Sequence, residues 1–306
     1  MNHTYFSERD AAWFEELACT VARGRAASAP GASVSDIALS LIAATDAGTP
    51  NEDAVRRVLA TDPRPDVGAT ALVLVALARS GNAIRQRCFD TVHGAITFLL
   101  AAQNRDGGWP AISGAKAEPS CPAATARALE ALGHFGFRVG QWPVDAAVRF
   151  VLARQADSGE WRTWWGGDAI QATWQVFAGL HAVGFDVFAL PLRRAVRRLK
   201  ESQNEDAGWG GSTPTETAWA VLALLTAGEG EIAEVRAGAE FLVGTQHADG
   251  TWSEGEFAER GFALMALGRY LSERGNPAPA RVAPTRTDAG HAARGPKSYR
   301  HTLAEM

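Results

Sequence analysis

The sequence predicts an all-α protein, an (α/α)6 barrel of six helical-pair repeats, and three observations predict it. The first is a stretch of Gln, five residues and Trp that occurs four times, at Gln103 to Trp109, Gln155 to Trp161, Gln203 to Trp209 and Gln246 to Trp252. Each copy follows an apolar helical run and holds Asp with Gly or Ala, so the Gln closes a helix and the Asp/Gly pair makes the turn. The second is a run of constant length from Thr to Gly, at Thr70 to Gly81, Thr125 to Gly136, Thr173 to Gly184 and Thr217 to Gly228. Thr stands early in each of these helices and Gly at the stop. The third is the absence of alternating β-branched runs, which leaves no strand pattern. The copies recur at roughly forty to fifty residues, the range of helical-pair repeats.

In order along the chain, Ser7 or Asp10 caps a first helix to about Arg23, with Trp13, Phe14, Leu17 and Val21 on one face, and Ala26 to Ser33 breaks it. Helices then read near Val34–Ala47, Glu52–Thr61, Gly68–Ser80, Ile84–Ala102, Ala123–Phe135 and Val144–Arg154. Five more follow near Ala169–Val183, Leu190–Ser202, Thr215–Ala227, Glu231–Thr245 and Phe257–Glu273, twelve in all. Past Gly275 the chain turns to Pro, Ala, Arg and Gly without an apolar pattern, so residues 1–274 are expected to form one barrel and 275–306 an irregular tail.

Twelve helices in pairs make either an open solenoid, which needs polar capping repeats, or a closed ring around a cavity. The ring is the expectation here. Its inner circle is the Thr-to-Gly set, the more apolar member of each pair, as in Ala71-Leu-Val-Leu-Val-Ala-Leu77, and outer helices carry charge, as in Arg193 to Lys200. A Gln amide at each turn can bond the backbone of a neighbouring helix and tie one repeat to the next.

With 306 residues, 46% of them apolar, and a formal net charge of −4, the chain can bury a large core and carries no signature of nucleic-acid binding. Cys19, Cys88 and Cys121 are scattered and lack CxxC or His pairing, so neither a disulfide framework nor a metal site is expected, and no cofactor is implied. Neither a signal peptide nor a membrane-length apolar run is read, and the expected location is cytoplasmic.

The Gln-to-Trp stretches resemble the QW motifs of class II triterpene cyclases, and the resemblance to squalene–hopene cyclases runs from about Asp66 to Leu271. It is strongest over residues 164–176, 202–219 and Leu264-Met-Ala-Leu-Gly-Arg-Tyr270. It implies the C-terminal barrel of such enzymes, which are about twice as long, and a terpenoid substrate. The family's acid lies centrally in a D-x-D-D-T-A motif, whereas this chain has Asp66-Val-Gly-Ala-Thr-Ala71, with Gly68 at the donor position and Ala69 beside it. The family's acid-paired histidine, in an acidic context, corresponds to Arg127 in Pro122-Ala-Ala-Thr-Ala-Arg127, and the aromatic-rich stretch before the last helix is cut to Glu254–Gly261. Trp165 keeps a pocket-aromatic position, and Gln171 stands where the family has tyrosine. Prenyltransferase β subunits share the repeat, but no cysteine here sits in their zinc-ligand context.

Candidate catalytic acids are therefore Asp66, Asp168 and Glu216, all at starts of predicted inner helices, where capping is the default role. Candidate substrate contacts are Arg127, whose guanidinium would want an anion such as Asp66 or a diphosphate, with Trp165, Gln171, Trp174 and Trp219. His93, His134 and His181 fall singly on different helices and read as surface or packed residues. Two functions fit. One is a terpenoid cyclase acting on a prenyl or terpenoid substrate without the usual Asp acid. The other is a silent barrel that binds an apolar isoprenoid or serves a protein partner. A cavity lined by Trp165, Trp174 and Trp219 would favour the first, and one filled by packed side chains the second.

Overall fold

A computed structural model describes residues 8–23, 33–48, 52–60, 66–111, 119–162, 168–252 and 257–275. Among them are thirteen helices: α1 (Glu8–Arg23), α2 (Val34–Asp46), α3 (Glu52–Leu59), α4 (Val67–Arg79), α5 (Asn82–Arg87), α6 (Phe89–Ala101), α7 (Pro122–His134), α8 (Trp142–Leu152), α9 (Ala169–Ala182), α10 (Leu190–Glu201), α11 (Pro214–Thr226), α12 (Ala233–Gly244) and α13 (Phe257–Gly275). The expected single helix over Ile84–Ala102 is two, because the backbone at Cys88 leaves helical geometry (φ −111, ψ 21) and α6 starts again there. A two-residue antiparallel pair, β1 (Trp109–Pro110) with β2 (Ser120–Cys121), is the one strand pairing among the described residues, and the sequence pattern does not announce it. The expected tail lies outside the described residues beyond Gly275.

The inner helices form a circuit that closes on itself. α2 packs on α4, α4 on α7, α7 on α9, α9 on α11, α11 on α13, and α13 returns to α2. Outside them, α3 lies on α2, α6 on α4, α8 on α7, α10 on α9 and α11, α12 on α11, and α1 on α13. Burial from both sides explains why inner helices are apolar all round: α4 buries nine of its thirteen residues, from Val67 to Leu77. The outer α10 instead buries only Leu192, Ala195, Val196 and Leu199, one stripe at helical spacing, and turns its arginines outward.

The two sequence registers are bonded to each other. Each repeat Trp is at most 2% exposed, and its indole N–H donates to a carbonyl ten residues back, Leu99, Val151, Leu199 and Leu242, at 2.6 to 2.9 Å. These are carbonyls near the ends of outer helices, where the regular bonding pattern gives way to tighter turns that leave a carbonyl lone pair open to the indole. The backbone N–H of Trp109, Trp161 and Trp209 donates to the hydroxyl of Thr125, Thr173 and Thr217 on the next inner helix, at 2.9 to 3.2 Å. The Gln amides complete the latch. Gln103, Gln155 and Gln203 each donate across their own turn and also to a first-turn carbonyl of the following outer helix, Pro143, Pro191 and Glu234. Gln246 has no later outer helix and donates instead to the Thr20 carbonyl of α1, 3.1 Å away, which joins the two ends of the outer ring.

One copy of the turn breaks its own rule. Gly107, Gly159 and Gly250 hold φ of +84 to +96, but Ala207 occupies the same place at φ +70, where an L side chain costs roughly 1–2 kcal/mol. Ala207→Gly is expected to raise stability by about 0.5–1 kcal/mol after the added freedom of the unfolded chain is subtracted. Urea titration of both proteins checks it, and a lower midpoint for the glycine variant would contradict it.

α7 and α9 approach through bare backbone. A Cβ on Gly179 would lie 2.3 Å from the Ala126 carbonyl oxygen, and one on Gly133 would lie 2.6 Å from the Ala182 carbonyl. That approach carries residues of the two helices into contact inside the ring.

Candidate functional site

Each inner helix hands the chain to an outer helix that brings it back, so the inner helices run parallel and their N-termini gather at one mouth. All three candidate acids stand there. Asp66 is the N-cap of α4: its Oδ1 accepts the Ala69 N–H at 2.6 Å. A Cβ on Gly68 would already lie 3.2 Å from that same oxygen, so the carboxylate is aimed at the helix end. Asp168 caps α9 by accepting the Ile170 N–H at 2.6 Å. Glu216 is the third residue of α11, where Thr213 accepts its N–H and donates its hydroxyl to Oε2 at 2.8 Å. Gly211 adds an N–H to the same oxygen at 2.9 Å.

Asp168 and Glu216 also meet each other across the gap between α9 and α11. Burial, and then the hydrogen bond to Glu216, raise the Asp168 pKa. Burial acts the same way on Glu216, but hydrogen bonds from Asp168, Thr213 and Gly211 together outweigh it and hold Glu216 below its ordinary value. The two carboxyls thus titrate as an interacting pair whose pKa values are pushed apart, Asp168 upward and Glu216 downward. Asp168 borders a cleft of about 330 Å³ whose far wall is Arg198, Leu199 and Ser202 of α10 and its end, so this carboxyl faces between helices.

Arg127 lies deeper in the ring. With the Gln175 amide assigned so that its oxygen faces the guanidinium, that oxygen accepts from Nη2 at 2.6 Å and from Nε at 3.1 Å. No carboxylate among the described residues lies within ion-pair distance of Arg127. Burial therefore lowers its pKa, and the more distant Glu130 and Asp66 only partly oppose the shift. Gln175 was not a sequence candidate, although the signal existed: it stands two residues after Thr173, as Arg127 stands two after Thr125. Equal register on neighbouring helices brings such residues together.

Next to Gln175, Trp174 packs edge-to-face on Phe262 of α13, with ring centroids 5.4 Å apart, and Trp219 of α11 packs on the same ring at 5.5 Å. Phe262, 3% exposed, is a second residue that sequence reading missed. The indole N–H groups of both Trp174 and Trp219 are buried without a hydrogen-bond partner. Gln171 is half-buried in the first turn of α9, and Trp165 lies outside the described residues. Cys19, Cys88 and Cys121 are free thiols, and no cluster of His, Cys, Asp and Glu able to hold a metal occurs among the described residues. Among those residues, no helix is long and apolar enough to cross a membrane.

A closed double ring of helices, latched by Gln and Trp at each turn and carrying an aromatic cluster in its lumen, defines a barrel of the terpene cyclase type. The chain belongs to the squalene-hopene cyclase C-terminal domain family, whose model matches residues 111–275. It is 28% identical over 243 residues to squalene–hopene cyclase of Zymomonas mobilis, a match that takes in 68% of this chain and 37% of that enzyme. It is 34% identical over 169 residues to drimenyl diphosphate synthase of Streptomyces showdoensis, covering 52% of this chain and 30% of the synthase. These matches therefore span only about a third of the length of the two relatives. In fold it is similar to the type II terpene cyclase MstE from Scytonema, solved with its substrate geranylgeranyl dihydroxybenzoate. The TM-score is 0.65 at 13% identity, covering 86% of this chain and 99% of the other.

Proposed function

We propose that this chain acts on a prenyl or terpenoid substrate whose anionic head is held by Arg127, by a route that does not use the family's aspartic acid. The observation that carries the proposal is a guanidinium deep in the ring whose side-chain partner is a neutral amide, beside an aromatic cluster with two unpartnered indole donors. A buried cation is costly without an anion, and a diphosphate supplies one together with several acceptors. The relative named for drimenyl diphosphate supports a diphosphate head in this family. The aromatic faces suit an isoprenoid chain and any cationic carbon formed on it.

Asp168 is the proton donor in this reading. Burial, and then the hydrogen bond to Glu216, raise its pKa, while Asp66 directs its carboxylate at the N–H of Ala69. A raised pKa holds the proton but weakens the acid, which suits protonation of an oxygen better than of an alkene. The second reading, a silent barrel that binds an isoprenoid or serves another polypeptide, is favoured by the packing of Trp174 and Trp219 on Phe262, which fills that part of the lumen.

Incubation of the pure protein with squalene and with a series of prenyl diphosphates separates these readings. The expected result is no hopene-type product from squalene, and diphosphate binding that Arg127→Ala weakens about tenfold to a hundredfold, the worth of one or two charge-assisted hydrogen bonds. Product from a diphosphate, lost in Asp168→Asn, selects the enzyme; binding with no turnover selects the silent barrel. Hopene from squalene, or equal diphosphate affinity in wild type and Arg127→Ala, sinks the proposal.

A further inference from the structure

The opposite mouth of the ring, where the inner helices end, holds a cavity of about 680 Å³ that no sequence motif marked. Its charged residues include four from the C-terminal parts of inner helices, Asp46 of α2, Arg79 of α4, Glu130 of α7 and Arg269 of α13, and Arg138 from the turn after α7. Both carboxylates are already engaged. Arg79 Nη1 donates to the two Asp46 oxygens at 2.8 and 3.0 Å, and Nη2 reaches Glu130 at 3.3 Å. Arg138 is engaged as well, through the carbonyls of Gly133 and Phe137. Arg269 lines the same cavity and makes no hydrogen bond or ion pair with any described residue.

Helix C-termini oppose an anion through their exposed carbonyls, so the cations at this mouth must outweigh them. At the end of α7 Arg138 covers the Gly133 carbonyl, and side-chain hydroxyls of Thr45, Ser80 and Thr226 turn back onto their own helices, to Leu41, Ala76 and Leu222. What remains facing the space is one unpaired guanidinium beside a paired one, and the imidazoles of His134 and His181. The sequence reading had these histidines as unrelated, but the fold brings both to one wall. Burial lowers the pKa of each, so at neutral pH they offer N–H donors without charge. Arg269 is depressed by burial and then by Arg79, two like charges that an anion between them would reconcile.

We propose that this cavity is a second ligand site, distinct from the Arg127 site, which takes a small phosphate ester through the guanidinium fork of Arg269. Two phosphate oxygens match the fork, the third is left for an imidazole N–H, and the volume exceeds a bare phosphate, leaving space for an organic part. The site stands whether or not the Arg127 reading holds.

Calorimetric titration of the full chain in chloride buffer tests it, with glycerol 3-phosphate and inorganic phosphate as probes and the Arg127→Gln variant as background to remove the other anion anchor. The ester is expected to bind more tightly than inorganic phosphate, and Arg269→Gln to weaken it at least about tenfold, with Arg269→Lys in between. In the unsubstituted protein the imidazole resonances of His134 and His181 should move on addition of the ester, a readout that needs no variant to fold. No binding, unchanged affinity in Arg269→Gln, or imidazole resonances that stay still would each overturn the site. Inorganic phosphate binding as tightly as the ester would overturn the ester assignment.

Discussion

Trp209→Ala is expected to lower stability by about 3–5 kcal/mol, the cost of emptying a fully buried aromatic position. Trp209 is 0% exposed, and a Cβ on Gly238 of α12 would lie 2.7 Å from its ring, so the indole rests directly on the backbone of the next outer helix. Removal also takes away the indole N–H that the Leu199 carbonyl accepts at 2.8 Å, leaving that oxygen with the backbone N–H and hydroxyl of Ser202. In a chain of this size the melting temperature should fall by about 5–8 °C. Diphosphate affinity per folded molecule should be unchanged, because the ring points away from the lumen into the seam between repeats. Equal melting temperatures for the two proteins would remove the latch role.

Arg79→Leu is expected to cost about as much, near 3–5 kcal/mol, for a different reason. Burial by itself would lower the Arg79 pKa, yet the combined pull of Asp46 and Glu130 raises it, so the cation is held by two carboxylates that are themselves only 13% and 15% exposed. Without the guanidinium, both acids are left buried and unpaired in one cavity. Chemical denaturation measures the loss, and the triple variant Arg79→Leu, Asp46→Asn, Glu130→Gln should recover much of it, since removing all the charges removes the penalty too. A loss under about 1 kcal/mol for the single variant would place this cluster with ordinary solvated ion pairs.

The fold was legible because its period is written twice, once in Gln and Trp and once in Thr and Gly, and both marks sit where backbone groups need a partner. What stayed hidden is that the two marks are one device, the Trp N–H on the Thr hydroxyl, since neither residue's backbone bonding is visible in a string of letters. The inner helices α2 and α13 carry no Thr-to-Gly run and were placed by the closing of the circuit alone. At the first mouth, Asp66, Asp168 and Glu216 read as helix caps from position, but the coupling of Asp168 to Glu216 joins residues of different repeats and depends on a gap that only packing sets. At the second mouth, one frame was available and unused. Counted from its Thr, Glu130 occupies the place held by Val75, Ala178 and Leu222 in the other copies, and Arg79 the place held by His134, Ala182 and Thr226. An acid where sister repeats are apolar, and a guanidinium where they hold His, Ala or Thr, are departures that burial must answer, and here the answers are each other.

The bond from Gln246 to the Thr20 carbonyl spans 226 positions of sequence. A growing chain therefore makes α1 first and gives it a neighbour last. Those events are separated by the synthesis of more than two hundred residues, during which Leu17 and the apolar side of α2 have no α12 or α13 to cover them. Loop closure over such a distance is slow compared with the local pairing of each helix with the next, so assembly proceeds as an open arc that grows from the middle and shuts at one seam. That seam, where the beginning of the chain meets its end, is the weakest place to cut and the natural place to watch the barrel open.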